Sequence, residues 1–437
     1  MKKLNQLLED TYKINIEKEI KKVSMNSKDV EENTLFFAIN NGNLYIEEAI
    51  QSGAILVIAD NVEEPIYEKY KNKIIIVDDT IKEMQNLAKK YRNILDITVI
   101  AITGSNGKTS TKDILYSIIS TKYPTKKTEG NYNNHIGLPF TILNLDDDDK
   151  FSILEMGMSS FGEIDLLGNI SQPDYAIITN IGESHLETLK TKENIFKAKT
   201  EILKYVDIEN VFVCGDDEML SRTKANKVGF KLENDYLIKD FEIVGDKKIF
   251  FKLNNKKFES NLLGKHSAVN ISLCIALAEK IGISYDDILA AISNIKVTKM
   301  RFEIEKIGND IYINDAYNAS PTSMKAAIET FANMYNDKFK VLILGDMLEL
   351  GEHSEKFHED IVELATKNKN NLIILYGNIM KKIHKDMDCS EKIKFFDDKY
   401  EILKFLENID KSKAILIKAS NGTKLFELVS IAKGEKK

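Results

Sequence analysis

Three observations predict an α/β protein of three domains: a small N-terminal α/β domain, a central parallel sheet of the P-loop ATPase type, and a C-terminal Rossmann-like domain. Short, nearly continuous apolar runs recur along the chain with helical stretches between them, as in buried parallel strands joined by crossover helices. One of these runs leads directly into a glycine-bearing loop that ends in Gly107-Lys108-Thr109. The chain has 437 residues, more than one hydrophobic core usually organises, so two or three domains are expected.

Bulk properties narrow the function. Apolar residues make up 43% and charged residues 30%, an ordinary globular composition. No apolar run approaches the roughly 18 residues that a membrane span needs. The opening Met1-Lys2-Lys3-Leu4-Asn5-Gln6 lacks the apolar core of a secretory signal, so a cytoplasmic protein is expected. Cys214, Cys274 and Cys389 lie far apart, which fits a reducing compartment, excludes zinc knuckles and leaves them as core fillers. A net charge of −7 argues against a general nucleic-acid binder, since backbone affinity comes from clustered Lys and Arg. The chain is read as a monomer. The run Asp146-Asp147-Asp148-Asp149 is read as a solvated turn.

Taken in order, residues 1–96 alternate strands at 35–39, 54–58 and 73–77 with a helix over 81–94, the first domain. The second, 97–296, opens on the strand 97–102 and continues with strands at 151–155, 175–180 and 210–214, then a helix over 268–281 that Ser267 or His266 is placed to cap. A boundary at 295–301 leads into the third domain, 297–437, with strands at 310–314, 340–344, 371–376 and 413–418. In doubly wound sheets ligands sit beyond the carboxyl ends of the strands. Gly104, Glu155, Asn180, Asp315, Gly345 and Ser420 all close or follow a strand here.

The segment Thr103-Gly104-Ser105-Asn106-Gly107-Lys108-Thr109-Ser110 reads as a phosphate cradle of variant spacing, with Ile102 where the generic motif has its first glycine. Converging backbone N–H groups, a helix N-terminus and the Lys108 charge all favour an anion, and the Thr109 hydroxyl suits Mg²⁺. Glu155 leaves a buried strand beside this loop and also suits Mg²⁺; the alternative is a solvated carboxylate. His185, in Asn180-Ile181-Gly182-Glu183-Ser184-His185, is the histidine placed to serve a second metal or its water. Composition alone makes Lys199 part of a solvated helix face. Asn270 offers a donor and an acceptor to a base edge, and Arg301, at a domain edge, is placed either over a phosphate or in a surface ion pair. Asp315 and Asn318 suit a ribose and Tyr317 a ring, while Ser320 and Pro321 start a helix. The segments 345–351 and 418–422 read as tight strand-to-helix turns.

Together these segments resemble the Mur ligases, ATP-dependent amide-forming enzymes of peptidoglycan precursor synthesis, over nearly the whole chain. Asp315-Ala316-Tyr317-Asn318-Ala319-Ser320-Pro321 and Gly345-Asp346-Met347-Leu348-Glu349-Leu350-Gly351 resemble the branch that joins D-alanyl-D-alanine to UDP-N-acetylmuramoyl-tripeptide. The Asp-Tyr-Ala-His and Asp-Asn-Pro-Arg motifs of the preceding ligase do not occur. The resemblance implies that Gly104, Ser105, Asn106, Gly107, Lys108, Thr109 and Ser110 hold the ATP phosphates. It implies that Thr109 and Glu155 serve Mg²⁺, with two ions expected, that His185 serves a metal or a substrate phosphate, and that Lys199 matches a family lysine that can be carbamylated to a metal ligand. Asn270, Asp315, Tyr317 and Asn318 become nucleotide contacts and Arg301 a γ-phosphate contact. Asn133, Asn134 and His135 would face the sugar nucleotide, with Asn26 and Ser27 at its diphosphate. Asn26-Ser27-Lys28 departs from the family's Asp-Ser-Arg, the loop around Gly42 is short, Ser267 replaces an asparagine and Ala419 a glycine. Nucleotide contacts from two domains imply that closure completes the site. A sister Mur-type or folate-polyglutamate-type ligase with another amine, and a nucleotide-hydrolysing switch protein, are the competing readings.

Overall fold

β-branched and aromatic runs end up as strands of three sheets. The computed structural model describes residues 1–293, 295, 298–386 and 391–435. It divides into two compact units, one of residues 1–103, 119–177 and 198–211, the other of residues 104–118, 178–197 and 212–437. The division runs through the expected central domain, parting its cradle strand from the cradle itself.

In the first unit the helix Lys2–Tyr12 buries Leu4 and Leu8. Strands β1 (Lys22–Ser24), β2 (Thr34–Ala38), β3 (Ala54–Ala59) and β4 (Ile74–Ile76) pair in that order, all parallel. Phe36, Ala38 and Val57 pack with Ile46 and Ala49 in the core on one side of this sheet. The helix Thr80–Ile94 starts where Asp79 accepts the Lys82 N–H, a local stop to extended chain, and buries Met84, Leu87, Ala88 and Tyr91. A second layer holds β5 (Thr98–Thr103), β6 (Thr125–Lys127), β7 (Phe151–Glu155) and β8 (Tyr175–Ile178) in the order β6-β7-β5-β8. Both faces of β7 are buried, as a covered parallel strand requires. The acidic run at 146–149 forms the expected turn, with Asp146 and Asp148 exposed, and departs from it at its last residue. Asp149 is buried and accepts the Asp146 N–H at 2.8 Å, and burial pushes its carboxyl above the usual range.

The second unit carries β9 (Val211–Cys214), β10 (Asn226–Gly229) and β11 (Tyr236–Val244) in parallel pairs. β11, β12 (Lys248–Leu253) and β13 (Lys256–Ser260) then form an antiparallel meander, which the apolar-run reading did not find. The helix Lys265–Lys280 buries almost every position from Ala268 to Ala278. Its N-cap is Gly264 with no side-chain cap bond, and the Ser267 hydroxyl donates to the Leu263 carbonyl, so neither Ser267 nor His266 caps it.

The third sheet runs β14 (Glu303–Ile307), β15 (Asp310–Asn314), β19 (Lys413–Lys418), β16 (Phe339–Gly345), β17 (Leu372–Tyr376), β18 (Ile393–Phe395). Its edge pair β14–β15 is antiparallel and the rest are parallel. Separate apolar clusters, around Phe331 and Val362 and around Leu406 and Leu428, cover its two faces, the doubly wound arrangement expected. Cys274 is core, Cys214 is half-buried, and Cys389 lies outside the described residues, as does the expected boundary between 296 and 297. Among the described residues no helix is long and apolar enough to cross a membrane.

Candidate functional site

The cradle is held open by loop-to-loop bonds within the second unit. The Ser105 N–H donates to the Asn180 carbonyl at 2.9 Å, the Asn106 N–H to Asn180 Oδ1 at 3.0 Å, and the Thr179 hydroxyl to the Asn106 carbonyl at 2.6 Å. Two of its positions demand glycine. Gly104 has φ +140 and a Cβ there would lie 1.9 Å from Thr179 Oγ1; Gly107 has φ +82 and a Cβ there would lie 2.7 Å from Asn270 Nδ2. Gly107 thereby lets Asn270, one turn into its helix, come up against the cradle. The helix Lys108–Ile119 follows at once, with Ser110 in its first turn, so its positive end and the Lys108 charge share one spot. Lys108 Nζ donates to the Gly104 carbonyl at 2.8 Å.

Arg301 comes to the same place from the start of the third domain. Its Nη2 donates to Thr109 Oγ1 at 3.0 Å, and its guanidinium lies 4.1 Å from the Tyr317 ring centroid, a cation–π stack. The surface-ion-pair alternative for Arg301 therefore fails. Asp113, on the cradle helix, accepts both the N–H and the hydroxyl of Thr298 at 2.9 and 2.8 Å, tying down the chain that leads to Arg301. Asp315 is fixed by Lys418 at 2.7 Å and by the Phe302 N–H at 3.1 Å. Asn318 is exposed, and its side chain accepts from the Ala319 N–H. Ser320 caps the helix Pro321–Ala332 in a reciprocal capping box, and its hydroxyl reaches Asn106 Oδ1 at 3.0 Å. Glu183 joins in from the His185 loop, taking the N–H and hydroxyl of Thr322 and pairing with Lys192. Burial alone would raise the Glu183 carboxyl; the bonds from Lys192 and Thr322 outweigh it and hold it below the usual range.

The first unit holds Glu155, Lys199, Asn133, Asn134, His135, Asn26 and Ser27. Glu155 ends β7 almost fully buried, its Oε1 accepting from the Asn133 amide at 2.9 Å. Lys199 is only 1% exposed, which corrects its reading as part of a solvated face. Asn134 accepts the Ile136 and Gly137 N–H groups, shaping the start of the next helix. The His135 carbonyl accepts from the Gln85 amide. Asn26 spends its side chain on Asp29 and the Lys28 N–H in the short turn that buries Ser27.

Among the described residues, the buried polar atoms without a hydrogen-bond partner include four from the segments above: Asn106 Nδ2, Ser184 Oγ, Glu155 Oε2 and Arg301 Nε. Each costs about 1–3 kcal/mol unless something supplies a partner. Two are donors suited to phosphate oxygens, and the carboxylate oxygen suits a cation. Among the described residues no group of three His, Cys, Asp or Glu is placed to hold a metal. A cavity of about 510 Å³ beside Gly264, walled by Phe241, Ile243, Thr330 and Lys369, is lined by none of the candidate residues.

Sequence reasoning missed Glu183, Asp113, Lys418 and Glu349 as partners of this site. Glu183, Glu349 and Lys418 lay in quoted segments but were given no role, and Asp113 lay in none. Glu349 receives His185 Nδ1 at 2.7 Å.

A Gly-Lys-Thr cradle at the end of a parallel strand, with an asparagine against it and an arginine from a second doubly wound sheet on its threonine, defines a nucleotide-binding α/β protein of the ligase type. Residues 102–278 match the Mur ligase middle domain and residues 300–421 the Mur ligase glutamate ligase domain. The UDP-N-acetylmuramoyl-tripeptide–D-alanyl-D-alanine ligase of Bacillus subtilis is 37% identical over 93% of this chain and 92% of its own. Its Rickettsia prowazekii counterpart is 32% identical over 93% and 94%. Crystal structures of MurF from Acinetobacter baumannii (TM-score 0.88, 26% identity, 98% of both chains) and of MurF from Thermotoga maritima with ADP (0.83, 27%, 95% and 97%) share the fold. The chain belongs to the Mur ligase family.

Proposed function

We infer that this chain is an ATP-dependent ligase that joins D-alanyl-D-alanine to the terminal carboxylate of UDP-N-acetylmuramoyl-tripeptide, in the cytoplasm, as a monomer. The observation that carries the reading is Arg301 laid across Thr109 of the cradle, with Asn270 against Gly107. Residues 1–96 are assigned to the sugar nucleotide, with Asn26 and Ser27 at its diphosphate and Asn133, Asn134 and His135 along it. Residues 97–296 are assigned to ATP, and 297–437 to closure over it.

A carboxylate is a poor electrophile. One of its oxygens attacks the γ-phosphorus, the bond to the β-phosphate oxygen breaks, and an acyl phosphate and ADP form. The unprotonated amine of D-alanyl-D-alanine then attacks the acyl carbon, the C–O bond to phosphate breaks, and the amine's extra proton leaves to water. The protein contributes position and charge. The cradle N–H groups from Gly104 to Ser110 and Lys108 hold the phosphates, and Arg301, its Nε already lacking a partner, neutralises charge that builds on the γ-phosphoryl. Asp315 and Asn318 face the ribose, Tyr317 holds Arg301 flat, and Asn270 reads the base.

Buried, unpartnered Glu155 Oε2 fits a cation; Glu155 and Lys199 as a carbamate in the first unit, and Thr109 and His185 in the second, are the residues assigned to Mg²⁺, two ions in all. Mg²⁺ typically takes one or two carboxylates with phosphate oxygens and waters rather than a full protein cage. Bound there, it offsets phosphate charge.

Release of ADP followed with purified nucleotide-tripeptide tests the reading. It predicts turnover that requires both the tripeptide and D-alanyl-D-alanine. Turnover indifferent to the dipeptide supports a nucleotide switch, and turnover with L-glutamate supports a folate-type ligase.

A further inference from the structure

Glu349 has no part in the reaction as described, yet the chain is bent to place it. It sits at φ 63 and His185 at φ 58, left-handed conformations that cost a non-glycine residue of order 1 kcal/mol each. The Glu349 carboxylate takes His185 Nδ1 at 2.7 Å, and its carbonyl accepts the Glu187 N–H at 3.2 Å. Two residues on, Gly351 lies so close that an added Cβ would stand 3.0 Å from the Glu187 Cα. The loop is fastened from below: the Met347 N–H donates to His358 Nε2 at 2.8 Å, the Leu348 N–H to Ser420 Oγ at 3.0 Å, and Asp346 accepts the Ile379 and Met380 N–H groups. A half-exposed ion pair would be worth little as a stabiliser. This one is built on two strained residues and a braced loop, and it ends on the ring of a candidate ligand.

We propose that Glu349 is a positioning residue. By accepting the Nδ1–H it sets the tautomer and rotation of His185, leaving Nε2 as the nitrogen that serves the phosphate-side metal, the service carboxylates commonly give to ligating histidines. The proposal rests on the reading of His185 as a ligand. Glu349 belongs to the third domain and His185 to the second, so the ring is set only when the 345–351 loop is seated on the 183–187 loop. Docking and completion of the metal site become one event.

The test is Mn²⁺ binding in the presence of ADP, followed by electron paramagnetic resonance, for the parent, His185→Ala, Glu349→Ala, Glu349→Gln and the double alanine variant. The expected result is that His185→Ala and Glu349→Ala each weaken Mn²⁺ binding by about ten- to a hundredfold. The double variant should bind no worse than His185→Ala. Glu349→Gln, which keeps an acceptor oxygen, should recover most of the loss, and the KM for D-alanyl-D-alanine should stay near the parent's. Parental Mn²⁺ affinity in Glu349→Ala, with a loss in His185→Ala, overturns the proposal and leaves the reading of His185 standing. Parental affinity in His185→Ala removes that reading itself. A raised dipeptide KM with unchanged Mn²⁺ binding also overturns the proposal, making Glu349 a receiver of the amine.

Discussion

Arg301 shows what a single side chain contributes here, because three of its properties are used at once: charge on the cradle, a planar face on Tyr317, and a donor on Thr109. Arg301→Ala should lower kcat by about 10²–10³ with little change in melting temperature. Arg301→Lys should recover little, since an ammonium can neither stack flat nor donate in a fork. Steady-state kinetics beside thermal melts check both. Gly107→Ala places a side chain at φ +82 against Asn270 and should weaken ADP binding at least tenfold by calorimetry. Gly107 stood out in the sequence because the cradle motif is continuous and its chemistry local, whereas Arg301 lies 192 residues from Thr109 and the sequence left a surface ion pair open for it. Glu349 was not legible: it is remote from His185 in sequence, and nothing in a strand-to-helix turn announces its partner. The burial of Lys199 was not legible, since burial of a lysine on a charged helix is a tertiary fact.

Among the elements, parallel strands were readable as apolar runs because both their faces are covered. The meander β11–β13 escaped because Tyr236–Val244 buries only Ile238, and it is interrupted by a register shift between Lys239 and Glu242. The cap at Ser320 was readable because Pro321 follows it at the first helical position, while the one expected at Ser267 or His266 did not form. Asp398 accepts the Tyr400 and Glu401 N–H groups at the start of the helix Lys399–Glu407, away from the cradle. Asp398→Ala should cost about 1 kcal/mol in urea unfolding and leave kcat unchanged. The helix Ser354–Lys367 carries a pH dependence. Burial pushes the His358 imidazole below its usual pKa, and its Nε2 must stay unprotonated to accept the Met347 N–H. The unfolded chain takes up that proton first, so the unfolded state binds more protons and this contribution to stability falls as pH drops from about 6.5 toward the lower folded value. Unfolding between pH 7 and 5 should show that loss in the parent and less of it in His358→Gln.

At the scale of the molecule, the ligase reaction requires an acid, an amine and a triphosphate to meet. The α/β architecture was visible from length and apolar periodicity. The exact seams were not, because no glycine- or proline-rich linker marks them. The segments 315–321 and 345–351 distinguish the expected amine, so D-alanyl-D-alanine should support ADP release where L-glutamate does not. The central claim is that condensation proceeds through an acyl phosphate, and oxygen transfer tests it most directly. With UDP-N-acetylmuramoyl-tripeptide labelled with ¹⁸O in its terminal carboxylate, the account predicts one labelled oxygen in the phosphate released during dipeptide-dependent turnover. Unlabelled phosphate accompanying normal product formation would contradict it.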